Sequence, residues 1–194
     1  MTNKEAFYKY SKPTYFSDYL KEGVDVHLKD GRRCKITDPF DKKDVIGVYG
    51  YDNQVIALES KGLQLSDDYT LPGHPKVIDD LSEAKKDLDG YGNTKQLKSL
   101  GIKSDALDYC ESLGKNWYIP SSGELKKVFK NQLRINITLR YLGIPQIDFR
   151  WFWSSTLRSP QCAWRCCSDG YDWYGDFGYD RVYYSNYVLP FLDL

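Results

Sequence analysis

The chain has 194 residues, with 27 Lys or Arg against 27 Asp or Glu, so its formal net charge at pH 7 is zero. Nucleic-acid binding needs a clustered positive footprint, and the sequence has no basic stripe, so no nucleic-acid partner is expected. No apolar run reaches the roughly 18 residues of a membrane-spanning helix, so no membrane insertion is expected either. The polar, tyrosine-rich N-terminus lacks the apolar core of a signal peptide, which predicts a chain that is cytoplasmic at synthesis.

Residues 1–22 are predicted to be an N-terminal extension of one domain that covers residues 23–194. Pro13 interrupts this extension, and its aromatic side chains, from Tyr8 to Tyr19, need a surface to pack against. That surface belongs either to the same domain or to a partner subunit. The second alternative would give a homo-oligomer held together through the extension.

Two strand pairs are predicted in the first third of the domain. Apolar and polar residues alternate over residues 24–36 on both sides of the turn Asp30-Gly31, which predicts a hairpin. Residues 45–49 and 55–58 are predicted to form a second strand pair. Residues 66–80 and 87–94 are predicted to be polar loops, and the carboxylate spacing in the second loop does not fit an EF-hand calcium site.

Helices are predicted in the middle of the chain from their end signals. Ser104 is a good N-cap for one helix, which Gly114 ends. A second helix follows Pro120 and begins with the capping box of Ser121 and Glu124. A further helical stretch ends at Gly143.

Cysteine and histidine usage argues against a catalytic or metal site. The odd number of cysteines does not fit a secreted disulfide framework, and the C-x3-C-C spacing differs from that of zinc sites. The five cysteines are Cys34, Cys110, Cys162, Cys166 and Cys167. With two histidines, both in the N-terminal half, a Ser-His-Asp set is not credible, so we expect no catalytic residue, no metal and no cofactor.

Several motifs occur in a fixed order along the chain. They are Val45-Ile46-Gly47-Val48, Asp89-Gly90-Tyr91-Gly92-Asn93-Thr94, Trp117-Tyr118-Ile119-Pro120-Ser121 with Glu124-Leu125, Phe152-Trp153-Ser154-Ser155-Thr156, Ala163-Trp164, Asp169-Gly170 and Val188-Leu189-Pro190-Phe191. This set resembles the bacterial C-type-lectin-like domain family that includes the C-terminal domain of a collagen-like adhesin. The resemblance covers residues 24–194, and it departs at Leu189, where the family often has arginine.

The resemblance implies an α+β, C-type-lectin-like fold of the formylglycine-generating-enzyme-type subclass. In that fold two helices flank small antiparallel sheets and the first strand pairs with the last, here residues 45–49 with 187–192. A long irregular segment, residues 157–187, would lie between the closing strands. Trp117, Trp153 and Trp164 occupy motif positions and are expected to be buried.

The segment 157–187 also resembles the variable region of diversity-generating retroelement proteins of the phage tropism-determinant class. In that class, adenine-directed mutagenesis of Asn codons yields Tyr, Asp, Ser, Gly, Cys, Arg or Phe, among others, but never Lys, Glu, Trp or Met. Residues 157–187 contain no Lys, Glu or Met, and Trp164 and Trp173 would be fixed scaffold positions. The alternative is a Tyr-, Ser- and Gly-rich lectin-like loop without a retroelement. The resemblance leaves open an association with a virion.

The composition of this segment suits recognition. Tyrosine offers contact area at a low entropy cost, small polar residues adapt, and arginine is frequent at binding hot spots. The partner is expected to be a protein or glycan receptor on a cell surface, bound on one exposed face. The predicted binding residues are Arg158, Arg165, Tyr171, Asp172, Tyr174, Asp176, Phe177, Tyr179, Asp180, Arg181, Tyr183, Ser185 and Asn186.

Two other functions remain open. One is a non-diversified adhesin or phage structural subunit of the same fold. The other is an oxidase similar to the formylglycine-generating enzymes, which use paired cysteines; Cys162 and Cys166 invite this comparison, although their spacing fits poorly.

Overall fold

Helices and β-sheets, antiparallel except for one parallel strand pair, combine in a computed structural model of the chain, which describes residues 16–168 and 176–194. The fold is α+β, as predicted. The helices are Phe16–Leu20 (α1), Leu81–Ala84 (α2), Gly90–Ser99 (α3), Asp105–Leu113 (α4), Ser122–Lys130 (α5) and Gln132–Leu142 (α6). The strands are Val26–Leu28 (β1), Arg33–Cys34 (β2), Val45–Tyr51 (β3), Gln54–Ala57 (β4), Lys61–Gln64 (β5), Trp117–Tyr118 (β6), Trp151–Ser159 (β7), Cys162–Cys167 (β8), Asp176–Arg181 (β9), Ser185–Val188 (β10) and Phe191–Leu192 (β11).

The strands form two sheets. The first has six strands in the order β2-β1-β3-β4-β11-β6, and the second has five in the order β5-β10-β7-β8-β9. Strand β4 lies inside the first sheet and is buried on both faces, since Ile56 packs in one hydrophobic cluster and its neighbours Val55 and Ala57 pack in the other. Each of the two hydrophobic clusters contains residues of both sheets and of the helices.

Both predicted strand pairs are confirmed. Val26 pairs with Cys34 across the first hairpin, and Val48 pairs with Ile56 across the second. The alternation of apolar and polar residues was sufficient to predict these strands, because each strand pair buries at least one of its faces.

The predicted direct pairing of residues 45–49 with 187–192 is wrong. Strand β4 lies between the two segments: Ile56 pairs with Val48 on one side and with Phe191 on the other. Residues 185–188 instead form β10 of the second sheet, where Tyr187 pairs with Gly62. Pro190, which cannot donate a backbone hydrogen bond, stands where the chain passes from one sheet to the other.

The predicted helix ends are confirmed. The Ser104 side chain accepts from Leu107 N, and Ser121 and Glu124 form the reciprocal capping box. Gly143 ends α6 in the left-handed conformation, with φ of 81°.

The predicted loop at 87–94 is wrong, because helix α3 begins at Gly90 with Asp89 as its N-cap. The two glycines in this stretch signalled a turn, but Gly90 serves close packing. A Cβ atom at Gly90 would lie 2.2 Å from Glu124 Oε2 and 2.6 Å from the Ser121 backbone nitrogen. Only glycine lets α3 approach the capping box of α5 this closely.

The predicted irregular segment at 157–187 is wrong for the residues that the structure describes. They form regular strands: the end of β7, then β8, β9 and most of β10. Trp164 and Cys166, which alternate along β8, are buried on the same face, and Cys166 Sγ lies 3.9 Å from Ser122 O of α5. Tyr171, Asp172 and Tyr174 lie outside the described residues.

The expected burial of Trp117, Trp153 and Trp164 is confirmed. Two indole nitrogens donate to backbone carbonyls, Trp153 Nε1 to Leu63 O at 3.1 Å and Trp164 Nε1 to Ile78 O at 2.6 Å. The first bond connects β7 with β5 within the second sheet, and the second connects β8 with the loop before α2.

The described part of the N-terminal extension, residues 16–22, lies against the same domain. Leu20 packs on the core, and Arg134 Nε of α6 donates to Glu22 O at 2.9 Å. Among the described helices, none is long and apolar enough to cross a membrane.

Candidate recognition surface

Strand β9 is the last strand of the second sheet, so its outer edge is open within the described part of the chain. Side chains of a strand alternate between the two faces of the sheet. Phe177, Tyr179 and Arg181 therefore lie on one side of β9, which we call the Tyr179 side. Asp176 and Asp180 lie on the opposite side, which we call the Asp180 side. The binding residues were predicted to lie largely on one exposed face, and these five positions of β9 are divided between two.

The Tyr179 side presents an exposed aromatic ring with a cation stacked on it. Tyr179 is 49% exposed, and the Arg158 guanidinium carbon lies 3.9 Å from its ring centroid. The buried Trp164 ring meets Tyr179 edge-on, with centroids 5.9 Å apart. A rigid ring beside a planar cation can stack on a partner and donate hydrogen bonds to it.

The side chains on the Asp180 side contact mainly other side chains of the same sheet. Arg165 Nη1 lies 2.8 Å from Asp180 Oδ2 and 3.1 Å from Asn186 Oδ1, and the guanidinium stacks on Trp151 at 4.3 Å. Asn186 is 6% exposed, so its predicted contact with a receptor is contradicted by burial. This cluster orients the edge strand rather than facing a partner.

The open edge is protected against the addition of another strand. The backbone N–H of Phe177 donates to Asp176 Oδ1 at 2.8 Å, and that of Arg181 donates to Asp180 Oδ1 at 2.9 Å. Unpaired edge amides invite strand pairing, and inward-turned carboxylates are one way to occupy them. A partner at this edge would therefore meet side chains first.

A cluster of three tyrosines adjoins the edge at the turn between β9 and β10. The Tyr183 ring lies 4.5 Å from that of Tyr69 and 4.7 Å from that of Tyr184, between centroids. Tyr69 is 73% exposed and Tyr184 50% exposed, and the neighbouring Ser185 is exposed as well. We call Tyr69, Tyr183 and Tyr184 the tyrosine cluster.

Tyr69 and Tyr184 were both missed by sequence reasoning. Tyr184 lies within the lysine-free segment, so composition could have found it. Tyr69 lies in the loop over residues 66–80, more than 100 positions earlier in the sequence, and no local signal connects it to the segment. The contact depends on the pairing of β5 with β10, which places the two loops side by side.

A second group of polar residues lies in the interior, where the motif segments meet. We call it the polar hub; its members are Asp87, Asn93, Tyr118, Ser121, Glu124 and Thr156, all buried. Asp87 Oδ2 accepts from Asn93 Nδ2 and Thr156 Oγ1, each at 2.7 Å. Glu124 accepts from Tyr118 OH at 2.8 Å and from Ser121 N at 2.7 Å.

Burial raises the pKa of Glu124 above its ordinary value, although these hydrogen bonds oppose the rise. The Ser121 hydroxyl has one hydrogen and two near acceptors, Asp87 O at 2.7 Å and Glu124 Oε2 at 2.9 Å. A protonated Glu124 would supply the second hydrogen. The polar groups of the hub are closed to solvent and hydrogen-bonded to one another. The hub therefore has a structural role, which is to hold α3, α5 and β7 together.

The cysteines are thiols in the structure, and none forms a disulfide among the described residues, which include all five. Cys166 is fully buried, and burial raises its pKa well above the ordinary value for a thiol. The reactive form of cysteine is the thiolate, so this environment makes Cys166 a poor nucleophile. Across residues 16–168 and 176–194, no group of three or more His, Cys, Asp or Glu side chains is placed to hold a metal ion.

Comparison with known proteins finds a likeness of fold. No protein-family model matches the sequence, and no curated protein matches it. A fimbrial protein from Bacteroides ovatus ATCC 8483, known from its crystal structure, superposes with a TM-score of 0.69 at 16% sequence identity. The match covers 89% of this chain and 48% of that one, so the chain spans about half the length of its structural neighbour.

Proposed function

We propose that this chain is a receptor-recognition protein that displays a diversified surface on a C-type-lectin-like scaffold, as the variable protein of a diversity-generating retroelement. The observation that carries the proposal is the exposure of Tyr179, Arg181 and Tyr184 on the edge and turn of the segment that contains no Lys, Glu or Met. Lysine is common on ordinary exposed strands, so its absence from this exposed surface needs a specific explanation.

The division of the segment into buried and exposed positions supports this proposal. Trp164, which the retroelement mechanism cannot create, is buried and hydrogen-bonded to the loop before α2. Tyr179, opposite it in the register, is half exposed. A fixed scaffold position next to a changeable surface position allows diversification without loss of the core.

The proposed partner is a protein or glycan receptor on a cell surface, and the chain catalyses nothing in this proposal. Tyrosine rings with a stacked guanidinium, flanked by Ser and Asp, resemble the composition of antibody paratopes. The contact surface would extend from the Tyr179 side of β9 to the tyrosine cluster, which replaces the single face that the sequence predicted.

A second candidate function is a structural subunit of a surface fibre, without diversification. The observation that favours it is the fold likeness to a protein described as fimbrial. In that case the same surface would contact another copy of the chain. Sedimentation analysis distinguishes the two, since a fibre subunit should self-associate as its concentration rises and a monovalent receptor-binding module should not.

Binding to whole cells tests the proposal. The labelled chain is applied to a panel of bacterial cells beside the triple variant Tyr179→Ser, Arg181→Ser, Tyr184→Ser. A matched control, Leu133→Ser with Phe149→Ser, removes exposed apolar side chains elsewhere on the domain. We expect the triple variant to lose binding and the control to keep it; equal binding by all three proteins would refute the proposal.

The retroelement part of the proposal has its own test in the genome. The DNA that flanks the gene should carry a near-repeat of the region that encodes residues 157–187, beside a reverse-transcriptase gene. Differences between the two copies should fall at adenines of the template. If the flanking DNA lacks such a repeat, the retroelement part of the proposal is refuted, and the chain is then an adhesin or fibre subunit without diversification.

A further inference from the structure

The Tyr179 side of β9 carries three positively charged side chains that lie far apart in the sequence, namely Lys85, Arg158 and Arg181. Within residues 16–168 and 176–194, no Asp or Glu forms an ion pair with any of the three. The chain as a whole is neutral, so this positive surface arises only when the fold brings α2, β7 and β9 together.

Two of these cations are held in place by aromatic rings of β9. Lys85 Nζ lies 4.6 Å from the centroid of the Phe177 ring, and the Arg158 guanidinium carbon lies 3.9 Å from that of Tyr179. A ring orients a cation without neutralising its charge. The positive charges therefore stay available to an anionic partner, and little side-chain ordering is needed when it binds.

Three residues of β9 direct their backbone groups to the open edge of the sheet. Val182 N donates to Gln161 O at 3.0 Å, which makes these two residues a hydrogen-bonded pair at the start of the ladder between β8 and β9. Hydrogen-bonded pairs alternate with pairs whose N–H and C=O groups point away from the partner strand. By this alternation, the N–H and C=O groups of Phe177, Tyr179 and Arg181 point outward.

Only the middle one of these three amides is left uncovered by its neighbour. The N–H groups of Phe177 and Arg181 donate to the carboxylates of the aspartates that precede them. Tyr179 is preceded by Gly178, which has no side chain to accept from the Tyr179 N–H. The edge is therefore closed at two positions and open at one, and the open position lies next to the ring that carries Arg158.

Glycine at position 178 is not required by backbone conformation or by crowding. Gly178 is outside the group of glycines with positive φ. A Cβ atom there would lie 3.4 Å from the Trp151 ring and 3.6 Å from Arg165 Nε, which are ordinary contacts. The consequence of this glycine that the structure shows is the open amide of Tyr179.

We propose that the Tyr179 side of β9 binds an acidic peptide segment of a protein receptor, paired with the backbone of Tyr179 and with its carboxylates beside the three cations. This inference rests on the proposed function, since it names the partner of the same surface. An extended peptide supplies both a C=O for the Tyr179 N–H and an N–H for the Tyr179 C=O. Its alternate side chains lie on one face, where carboxylates can form charge-assisted hydrogen bonds to the cations.

An acidic peptide fits this surface better than a nucleic acid does. A phosphodiester backbone has no N–H group to donate to the Tyr179 carbonyl, and single strands bind by stacking bases on open rings. Here one face of the Phe177 ring and one face of the Tyr179 ring are already covered by cations. Asp176 on the opposite side would repel further carboxylates, so a peptide in which acidic and neutral residues alternate suits the edge best.

Fluorescence anisotropy with a labelled peptide tests the inference. The peptide alternates Glu and Thr over six residues, the length of β9, and its control alternates Gln and Thr. We expect the Gln peptide to bind about tenfold more weakly or not at all, and added salt to weaken binding of the Glu peptide. A single strand of thymidylate of the same length is the third probe; if it or the Gln peptide binds as well as the Glu peptide, the proposal is overturned.

Matched variants locate the charges. Arg158→Gln with Arg181→Gln should weaken binding of the Glu peptide by about tenfold, since two exposed charge pairs are lost. Arg32→Gln with Arg140→Gln removes two exposed arginines elsewhere and should leave binding unchanged. Equal effects of the two pairs would overturn the proposal.

The backbone contact is tested at Gly178. Gly178→Asn offers a neutral side-chain oxygen to the Tyr179 N–H, as the preceding aspartates do for Phe177 and Arg181, and should weaken binding severalfold. Gly178→Ala adds only a Cβ atom and should bind within about twofold of the unchanged protein. Equal binding by the two variants would overturn the pairing at Tyr179.

The peptide test and the cell test fail separately. A chain that binds cells but does not bind the Glu peptide overturns the acidic-peptide inference and leaves the proposed receptor recognition standing. A chain that binds the peptide through Arg158 and Arg181 but binds no cell supports the peptide site and contradicts the proposed function.

Discussion

The polar hub and the edge strand β9 contain similar residue types, yet they differ in how their polar groups are satisfied. In the hub, Asp87 and Glu124 bond to side chains and amides from three separate elements, and water is excluded. At the edge, Asp176 and Asp180 accept from the amides of their own neighbours, Asp180 also pairs with Arg165, and the nearby Tyr179 ring is half exposed. Whether a polar residue is structural therefore depends on whether it and its hydrogen-bond partners are buried together, rather than on its type.

The register of β8 and β9 allows this comparison to be made between two facing residues. Trp164 is 5% exposed and Tyr179, opposite it, is 49% exposed. The first belongs to the core, and the second belongs to the candidate surface although their rings touch.

The largest effect is expected at Trp164. Trp164→Ala removes a buried indole and its bond to Ile78 O, and should lower the free energy of unfolding by about 3–5 kcal/mol, the usual cost of emptying such a site. Urea denaturation followed by far-UV circular dichroism measures it. A loss under about 1 kcal/mol would mean that the boundary between scaffold and surface lies inside β8 rather than at β9.

A smaller effect is expected where the hub elements approach most closely. A Cβ atom at Gly123 would lie 2.3 Å from the backbone oxygen of Asp87, which cannot move without disturbing the hub. Gly123→Ala should therefore lower the free energy of unfolding by about 1–3 kcal/mol, as overpacking does.

The control for that variant is Gly62→Ala in strand β5. A Cβ atom there meets the Tyr187 ring at 3.9 Å, an ordinary contact, so its stability should stay near that of the unchanged protein. Equal losses of stability at both positions would show that the close approach at Gly123 is not the reason for the loss there.

The same residues explain how far the sequence could predict the structure. Hairpins and capped helices followed from local signals, since the alternation over residues 24–36 and the capping box at Ser121 need no distant contact to be recognised. Helix α3 was missed because a glycine at position 90 is locally a turn signal. The glycine is instead required by the close approach of Glu124, which is 34 residues away in the sequence.

The candidate site was predictable in composition and not in geometry. The lysine-free segment identified Tyr179 and Arg181, both exposed. It also identified Asn186, which is buried by its contact with Arg165, and it could not identify Tyr69, which reaches the surface cluster from another loop. Composition does not encode which side of a strand faces solvent, because that depends on the pairing partner.

A pH-dependent effect is expected at Glu124. Its pKa is raised in the folded protein, so the native state binds the proton more tightly than the unfolded chain does. The stabilisation from protonated Glu124 is then complete below the ordinary glutamate pKa and declines as the pH rises through the folded-state value. Glu124→Gln, which stays neutral, should flatten this decline over the pH range above the ordinary glutamate pKa.

Urea midpoints across that pH range check the prediction, with Glu83→Gln as the control at an exposed glutamate of α2. If the two variants and the unchanged protein show the same pH dependence, Glu124 is ionised in the hub at neutral pH and its hydrogen bonds outweigh the cost of burial.

The smallest effect on stability is expected at Tyr179, and it completes the comparison with Trp164. Tyr179→Ala removes an exposed ring and the cation–π contact with Arg158, so the free energy of unfolding should fall by about 0.5–1 kcal/mol, the usual range for an exposed pair. Tyr179→Phe keeps the ring and should cost less, because the hydroxyl of an exposed tyrosine is hydrogen-bonded by water in both states. Paired urea titrations of the two variants beside Trp164→Ala measure the difference. A cost at Tyr179 near that of Trp164 would mean that β9 holds the sheet together, and its aromatic residues would then be explained by packing instead of recognition.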